Sequence, residues 1–426
     1  MKKALYLAVL VFLLAQPAAA QQLVTTDVDH FWNAYDQIRA TKDSAQQYAL
    51  LNKLFIDPGT PGLKAMMQAR SYTAKSYIDA INRYPLFWNS IRANTLQANR
   101  FGKSIALNVK QLKKLYPDLR PAQIYFTIGA FRSGGTTQGQ MILIGSEMAL
   151  ADQNTVTSEF PAGYWNVQSG SPEELSDKIV FTNIHEYVHT QQKTTQTNNL
   201  LAQCVLEGVA EFVAVKATDQ PSVVPAMAYG RAHMAQVRQR FEKQLFNRGS
   251  GFWLYSDAAN EFGMRDLGYY IGYAICEAYY TKEPDKKRAI KHMIELDYAN
   301  ENDLAAFVDA SGYLDTPVQT LKQQYEAARP TVVRVQSFNP ATRQITIEFS
   351  APMNKSYRSF ELGPLGRDHL LKIKRVVGFS EDGRSLTLEA DLLPSTRYQL
   401  VIGEGFRDTD GARLKPYLID FQTATN

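Results

Sequence analysis

The pattern of apolar and polar residues changes character several times along the chain. From about residue 22 to 120 the apolar residues recur at helical spacing. Two apolar segments, Gln123 to Phe131 and Gln140 to Met148, then indicate strands, and the glycine-rich sequence RSGGTTQG between them indicates that they form a hairpin. From Ser171 to about Tyr325 the spacing is helical again, and Ser171 is the predicted N-cap of the first helix.

After Pro330 the chain consists of short segments rich in β-branched residues, separated by turns such as Glu381-Asp382-Gly383. This pattern predicts a small all-β sandwich. The whole chain is therefore predicted to be α+β, with a mostly helical domain that contains a small sheet, followed by the sandwich. The predicted boundaries are 1–20 for a signal peptide, 21–329 for the first domain (helices 22–120, hairpin 121–150, helices 171–325) and 330–426 for the sandwich.

The first twenty residues have the pattern of an export signal. Lys2 and Lys3 precede the apolar run Ala4 to Ala15, which is short for a membrane span, and Ala18-Ala19-Ala20 provides the small residues of a cleavage site. We expect a mature start near Gln21 and a secreted or periplasmic protein, against the alternative of a retained anchor. We expect no membrane span in the mature chain.

Composition narrows the classes of function. Hydrophobic residues make up 45% and charged residues 21% of the 426 residues, which are values of an ordinary globular protein. The formal net charge of +4 and the lack of a long basic run argue against nucleic-acid binding. With two cysteines, a disulfide framework and a multi-cysteine zinc module are excluded.

The strongest chemical signal is HEYVH, in the helix that follows Ser171. His185 and His189 are four residues apart, so their imidazoles project from one helical face at a spacing that suits two ligands of one zinc ion. Glu186 is turned by about 100°, where it can serve as general base without displacing the ligands. The motif thus predicts a catalytic zinc site, against the alternative of a chance match on a solvated helix.

A third ligand is expected from the nearly apolar segment Leu200 to Val215, where Gln203, Glu207 and Glu211 form one narrow polar stripe. We favour Glu207 as the ligand and Glu211 as acceptor of a ligand imidazole N–H. Three alternatives stay open at this point: exchanged roles of the two glutamates, a stripe that merely faces solvent, and Cys204 as a ligand.

HEYVH followed by LEGVAEF resembles the gluzincin pattern of metallopeptidases, of which thermolysin-like enzymes are well-known members. Together with FWNAYD, IGAFRSGGTTQG and DLGYYIGYAICEAYY, these motifs resemble a bacterial family of exported predicted zinc-dependent proteases of unknown substrate, over roughly residues 25 to 325. The resemblance implies a zincin-like fold, a zinc ion, and an upstream strand whose exposed edge aligns an extended substrate. RQITIEFSAPMN similarly resembles bacterial Ig-like modules, which implies contact of the last domain with a surface or a protein.

A hydroxyl group that stabilises the oxyanion is expected from the tyrosines of DLGYYIGYAICEAYY, with Tyr269 favoured and Tyr273 on the same helical face. Core tyrosines are the alternative interpretation, and Arg231 and His233 are rival donors. Gly268 and Gly272 in the same segment predict close packing of this helix on a neighbour.

These observations predict an exported zinc metallopeptidase of gluzincin type that hydrolyses peptide or protein substrates, with Zn²⁺ held by His185, His189 and Glu207 and with Glu186 as general base. The main alternative is a non-catalytic envelope or surface binding protein with a structural or degenerate zinc site. Hydrolysis of a non-peptide amide or ester by the same chemistry is a third hypothesis.

Overall fold

A computed structural model of the chain describes residues 23–161, 164, 172–193, 199–336 and 343–424. The predicted signal peptide and the predicted N-cap Ser171 lie outside these residues. The fold is α+β, as predicted. Backbone contacts divide the chain into one unit formed by Met1–Gln191 with Val213–Val223, and a second formed by Gln192–Phe212 with Val224–Asn426. The domain boundary proposed between residues 329 and 330 is a different division, and it stays a prediction.

The first unit is mainly helical, and several of its helices begin at capping side chains. Asp43, Thr60 and Thr73 each accept a hydrogen bond from a backbone N–H in the first turn that follows them. The helices are α1 (Thr26–Arg39), α2 (Ser44–Leu51, continued by a π-helical turn Asn52–Ile56), α3 (Pro61–Ala69), α4 (Ala74–Arg83), α5 (Pro85–Leu96, followed by a 3₁₀ turn Ala98–Phe101), α6 (Gly102–Leu115), α7 (Ser146–Ala149) and α8 (Pro172–His189).

One four-stranded sheet belongs to this unit, in the order β1-β2-β4-β3. Its strands are β1 (Leu23–Val24), β2 (Gln123–Thr127), β3 (Gly135–Gln138) and β4 (Met141–Gly145). Strand β2 pairs in parallel with both β1 and β4, whereas β3 pairs antiparallel with β4. Residues 124–127 of β2 and 142–145 of β4 are buried, as expected for parallel strands covered on both faces.

The predicted pairing of the hairpin from 121 to 150 is wrong. The two apolar segments are parallel, and the hairpin is formed by β3 and β4, which are joined by the two residues Gly139 and Gln140. Gly139 has φ +59°, a left-handed conformation that suits glycine in so tight a reversal. Thr136 and Thr137, in the sequence taken for a loop, pair with β4, because β-branched residues suit a strand even when glycine precedes them.

The second unit contains a group of helices and two antiparallel sheets. The helices are α9 (Leu200–Thr218, of which Val213–Thr218 belongs to the first unit), α10 (Ala226–Ala232), α11 (Met234–Glu242), α12 (Leu267–Lys282), α13 (Lys286–Glu295), α14 (Glu301–Ser311) and α15 (Val318–Ala328). Within the described part of the chain, no helix has both the length and the apolar character required to cross a membrane.

Glycine residues bring α9 and α12 into direct backbone contact, which confirms the close packing predicted for the glycines of α12. A Cβ atom on Gly208 would lie 2.0 Å from the carbonyl carbon of Gly272, and one on Gly272 would lie 1.8 Å from the carbonyl oxygen of Cys204. Only residues without a side chain permit this approach. Cys204 and Cys276, both buried on these helices, are free thiols.

The C-terminal part of the second unit consists of two sheets that share one core. The strands are β5 (Val332–Val335), β6 (Gln344–Phe349), β7 (Phe360–Glu361), β8 (Ile373–Phe379), β9 (Ser385–Ala390), β10 (Arg397–Ile402) and β11 (Tyr417–Gln422), with a 3₁₀ turn at Arg367–His369. The sheet orders are β5-β6-β9-β8 and β11-β10-β7. Strands β6 and β9 alternate buried and partly exposed residues, which is the pattern of strands with one face on a core.

Candidate metal centre

Helix α8 carries the HEYVH motif, and its apolar residues are buried. Ile179, Val180, Ile184 and Val188 are almost completely buried. The Nε2 atoms of His185 and His189 face each other at 3.0 Å. Two nitrogens bound to one tetrahedral zinc ion at about 2.0–2.1 Å lie roughly 3.3 Å apart. The spacing of the two imidazoles is therefore close to that of two ligands of one ion.

Helix α9 contributes the carboxylates. Glu207 and Glu211 retain only 7% and 1% of their exposure, so these two residues of the polar stripe do not face solvent. One ligand atom from each of His185, His189 and Glu207 lies within 4.8 Å of the others. Among the residues that the structure describes, this is the group of histidine, cysteine and acidic side chains close enough to hold a metal ion.

These three residues fit a zinc ion by their chemistry. Two imidazoles and one carboxylate are the ligand set of many catalytic zinc sites, which keep a fourth position open. A divalent cation would also offset the cost of burying the Glu207 carboxylate. Cys204 is not a member of the group, and burial, with the nearby Glu207 charge, raises the pKa of its thiol well above the usual range, which disfavours the thiolate. The assignment of Glu211 to an imidazole N–H stays a prediction.

Glu186 lies against the edge of the sheet in the first unit. A Cβ atom on Gly135, the first residue of β3, would lie 2.9 Å from Oε1 of Glu186 and 3.4 Å from Cγ2 of Thr182 on the same helix. Strand β3 pairs only with β4, so its other edge has no strand partner among the described residues. The candidate general base therefore lies against one face of the strand whose outer edge is unpaired, and glycine at position 135 allows this approach.

Two tyrosines lie close to Glu207. The Tyr255 hydroxyl donates to Oε1 of Glu207 at 2.5 Å, and its ring meets that of Tyr269 edge to face at 6.3 Å. Burial, followed by the negative charge of Glu207, raises the pKa of Tyr269 well above its usual range, so this phenol keeps its proton. Tyr269 was expected from the sequence, whereas Tyr255 was not.

Tyr255 is positioned by an unusual backbone conformation. Its φ is +59°, and its N–H donates to Oδ1 of Asp266, the residue before α12, at 2.8 Å. A left-handed tyrosine in a loop has no periodic pattern around it and stands at no fixed distance from HEYVH. We find no feature of the sequence that would have singled it out.

The other candidate oxyanion donors, Arg231 and His233, make contacts with other side chains. Arg231 forms an ion pair with Glu277 at 3.2 Å and lies over the Tyr273 ring at 5.3 Å. The His233 ring stacks on Tyr229 at 4.1 Å. Burial and then the charge of Glu277 raise the pKa of Tyr273 to about 12. These contacts leave Tyr255 and Tyr269 as the hydroxyl groups next to the candidate ligand.

Glu147 is a second residue that the sequence did not indicate. It is fully buried in the first unit, where its carboxylate accepts the backbone N–H groups of Gly129 at 2.8 Å and Phe131 at 3.2 Å. Burial raises its pKa to about 7. Phe131 has φ +64°, so Glu147 stabilises an unfavourable turn in the loop that leads into β3. An acidic residue two positions after the apolar strand β4 is the only signal for this role.

No protein-family model matches the chain, and no curated protein matches it. Among the solved structures that match are the crystal structure of the S-layer protein rSbsC(31-844) and the structure of surface layer protein SbsC, domains 1-6. They are 13% and 14% identical over 94% of this chain, each with a TM-score of 0.19. The chain spans 45% and 46% of their lengths. Likenesses of this size carry no argument about fold or function.

Proposed function

We propose that the protein is an exported zinc metallopeptidase of gluzincin type. The observation that carries the proposal is the convergence of His185, His189 and Glu207 within 4.8 Å, with Glu186 in the same helical turn as the two histidines. This arrangement combines the ligands of a catalytic zinc ion with a carboxylate that does not ligate it. Export rests on the N-terminal sequence alone.

Different residues of the chain have different roles in the proposed reaction. A bound zinc ion would polarise the scissile carbonyl group and lower the pKa of a water molecule. The Glu186 carboxylate takes a proton from the attacking water and passes it to the leaving amine. The Tyr269 hydroxyl donates a hydrogen bond to the oxygen on which negative charge develops. The Tyr255 hydroxyl has one proton, which it gives to Glu207 Oε1, so it can take this role only when that hydrogen bond is released.

The unpaired edge of β3 supports an extended peptide as the substrate. An added strand would bind through backbone hydrogen bonds and would tolerate many side chains. Because Gly135 lies against Glu186, a peptide bound along this edge would bring a backbone carbonyl group close to the general base. This contact favours peptide hydrolysis over hydrolysis of a small ester or amide.

The test is digestion of a peptide library by the zinc-loaded protein and by Glu186→Gln, with metal content measured by mass spectrometry. We expect cleavage by the wild type alone, a rate reduced by several orders of magnitude in Glu186→Gln, and equal zinc in both. His185→Ala should lose zinc and activity together. A zinc-loaded wild type that cleaves nothing would instead indicate a binding protein with a structural zinc ion.

A further inference from the structure

The outer edge of β3 begins beside the guanidinium group of Arg70, which has no carboxylate partner among the described residues. Arg70 directly follows α3, and its Nη2 reaches the carbonyl oxygen of Gly135 at 3.5 Å. Its Nε is buried and has no hydrogen-bond partner. Within the part of the chain that the structure describes, no carboxylate lies within 4 Å of Arg70 or of its neighbour Arg132. A guanidinium group whose charge has no carboxylate partner among these residues suits an anionic ligand.

Arg132 fixes this arrangement and adds to the local positive charge. Its Nη1 donates to the carbonyl oxygens of Arg70 at 2.8 Å and Ser71 at 3.0 Å, and its guanidinium lies over the Tyr72 ring at 5.6 Å. The chain next to Arg70 is thereby held by several contacts. The two guanidinium groups at this end of β3 are thus positioned by contacts within the first unit.

The pairing of β3 defines which of its groups face outwards. The N–H of Gly145 donates to the carbonyl oxygen of Gly134, and in an antiparallel ladder hydrogen-bonded and non-hydrogen-bonded residues alternate. Gly135 and Thr137 therefore direct their backbone groups away from β4. Consistent with this, the Gly135 carbonyl oxygen accepts hydrogen bonds from Ser133 Oγ at 2.5 Å and from Arg70.

A peptide paired antiparallel with β3 would run from Gln138 towards Gly135, so the residues that follow its cleaved bond would approach Arg70. We propose that Arg70 binds a carboxylate of the substrate on the C-terminal side of the bond to be cleaved. This inference rests on the proposed function and specifies its substrate class. The carboxylate belongs either to an acidic side chain or to the free C-terminus of the peptide, since a guanidinium binds both in the same way.

The test uses binding to the inactive Glu186→Gln protein, so that it does not depend on cleavage. The protein is immobilised and presented with a randomised decapeptide library in three forms: free C-terminus, amidated C-terminus, and amidated with Asn and Gln in place of Asp and Glu. Captured peptides are quantified by mass spectrometry. We expect at least about tenfold enrichment of peptides that carry a carboxylate, the size of one charge-assisted hydrogen bond.

Comparison of the first two libraries identifies the carboxylate that is bound. Enrichment only in the library with a free C-terminus indicates the terminal carboxylate, whereas enrichment in the amidated library indicates an acidic side chain. Arg70→Gln should abolish the enrichment, and Arg70→Lys should retain part of it. Arg100→Gln, which removes an exposed guanidinium of the same unit that is bonded only to Gln97, should keep it. Equal capture of all three libraries, capture of none, or enrichment that survives in Arg70→Gln would overturn the inference. Absence of cleavage by the wild type with enrichment intact would overturn the proposed function alone.

Discussion

The contact between α9 and α12 offers a way to disturb the metal centre without touching a ligand. Gly208 is adjacent to Glu207 on α9, and its Cα faces the backbone of Gly272 on α12. Replacing Gly208 by Ala adds one methyl group directly into this contact. We expect Gly208→Ala to fold less stably and to bind zinc more weakly than the wild type.

The size of the effect follows from the distances. The new Cβ would lie 2.0 Å from a backbone carbon of Gly272 and 2.4 Å from the Tyr273 nitrogen, against 3.4 Å for an ordinary contact. The backbones must therefore separate by at least about 1.4 Å (3.4 − 2.0). Overpacking of this kind costs roughly 1–3 kcal/mol, and better helix propensity returns at most about 1 kcal/mol. Zinc–ligand distances tolerate about 0.2 Å, so a shift of Glu207 should weaken zinc binding roughly ten- to hundredfold.

Zinc affinity is measured by competition with a chelator, and stability by denaturant unfolding with and without zinc. At free zinc of about 100 times the wild-type Kd, the ion stabilises the wild type by about 2.7 kcal/mol, and a hundredfold weaker variant by only about 0.4 kcal/mol. Gly102→Ala is the matched control, because Gly102 has helical φ and ψ and its nearest neighbour would be a Leu23 methyl group at 3.4 Å. Unchanged zinc affinity and stability in Gly208→Ala would refute the reasoning.

Four further substitutions test other contacts. Tyr255→Phe and Tyr269→Phe should both retain zinc. The substitution that removes the oxyanion donor should lower kcat about 10²- to 10³-fold with little change in KM. Normal kcat in both variants would exclude the two phenols as oxyanion donors. Gly135→Ala should lower kcat because its Cβ displaces the Glu186 carboxylate, 2.9 Å away, and a rate equal to wild type in a steady-state assay would contradict this contact. Burial holds the pKa of Glu147 at about 7 in the folded protein, against 4.5 in an unfolded chain. The contribution of Glu147 to stability is therefore full below pH 4.5 and is lost as the pH rises through 7. The total loss is about 3 kcal/mol. Unfolding of wild type and Glu147→Gln from pH 4 to 8 should show this slope only in the wild type, and parallel curves would disprove it.

The parts of the site that could be predicted from sequence are those that depend on one helix at a time. The spacing of His185 and His189 determines their common face as soon as the segment is helical. Glu207 was indicated because a carboxylate in a nearly apolar helix requires a compensating partner. In both cases the relevant geometry is contained within a few turns of regular structure.

The parts that could not be predicted depend on how distant segments meet. Parallel and antiparallel strands have the same local pattern of apolar residues, so the sequences of β2 and β4 do not reveal how these two strands pair. They also do not reveal that a short strand lies between them along the chain. That strand, β3, was hidden because its glycines resemble those of a turn. Tyr255 reaches Glu207 only through a left-handed backbone and a hydrogen bond to Asp266, neither of which leaves a periodic signal.

Both closest approaches at the candidate site are made by glycine, Gly135 beside Glu186 and Gly208 against α12. A methyl group at position 135 would displace the Glu186 side chain, and one at position 208 would push α9, which carries Glu207, away from α12. Large side chains can adjust to a new neighbour by changing rotamer, whereas two backbones in contact can only move apart. We therefore infer that the position of Glu207 is determined more by backbone contact than by side-chain packing, whereas Gly135 leaves room for the Glu186 side chain. Substitutions at the two glycines should accordingly impair the site more than conservative changes of the apolar residues that surround it.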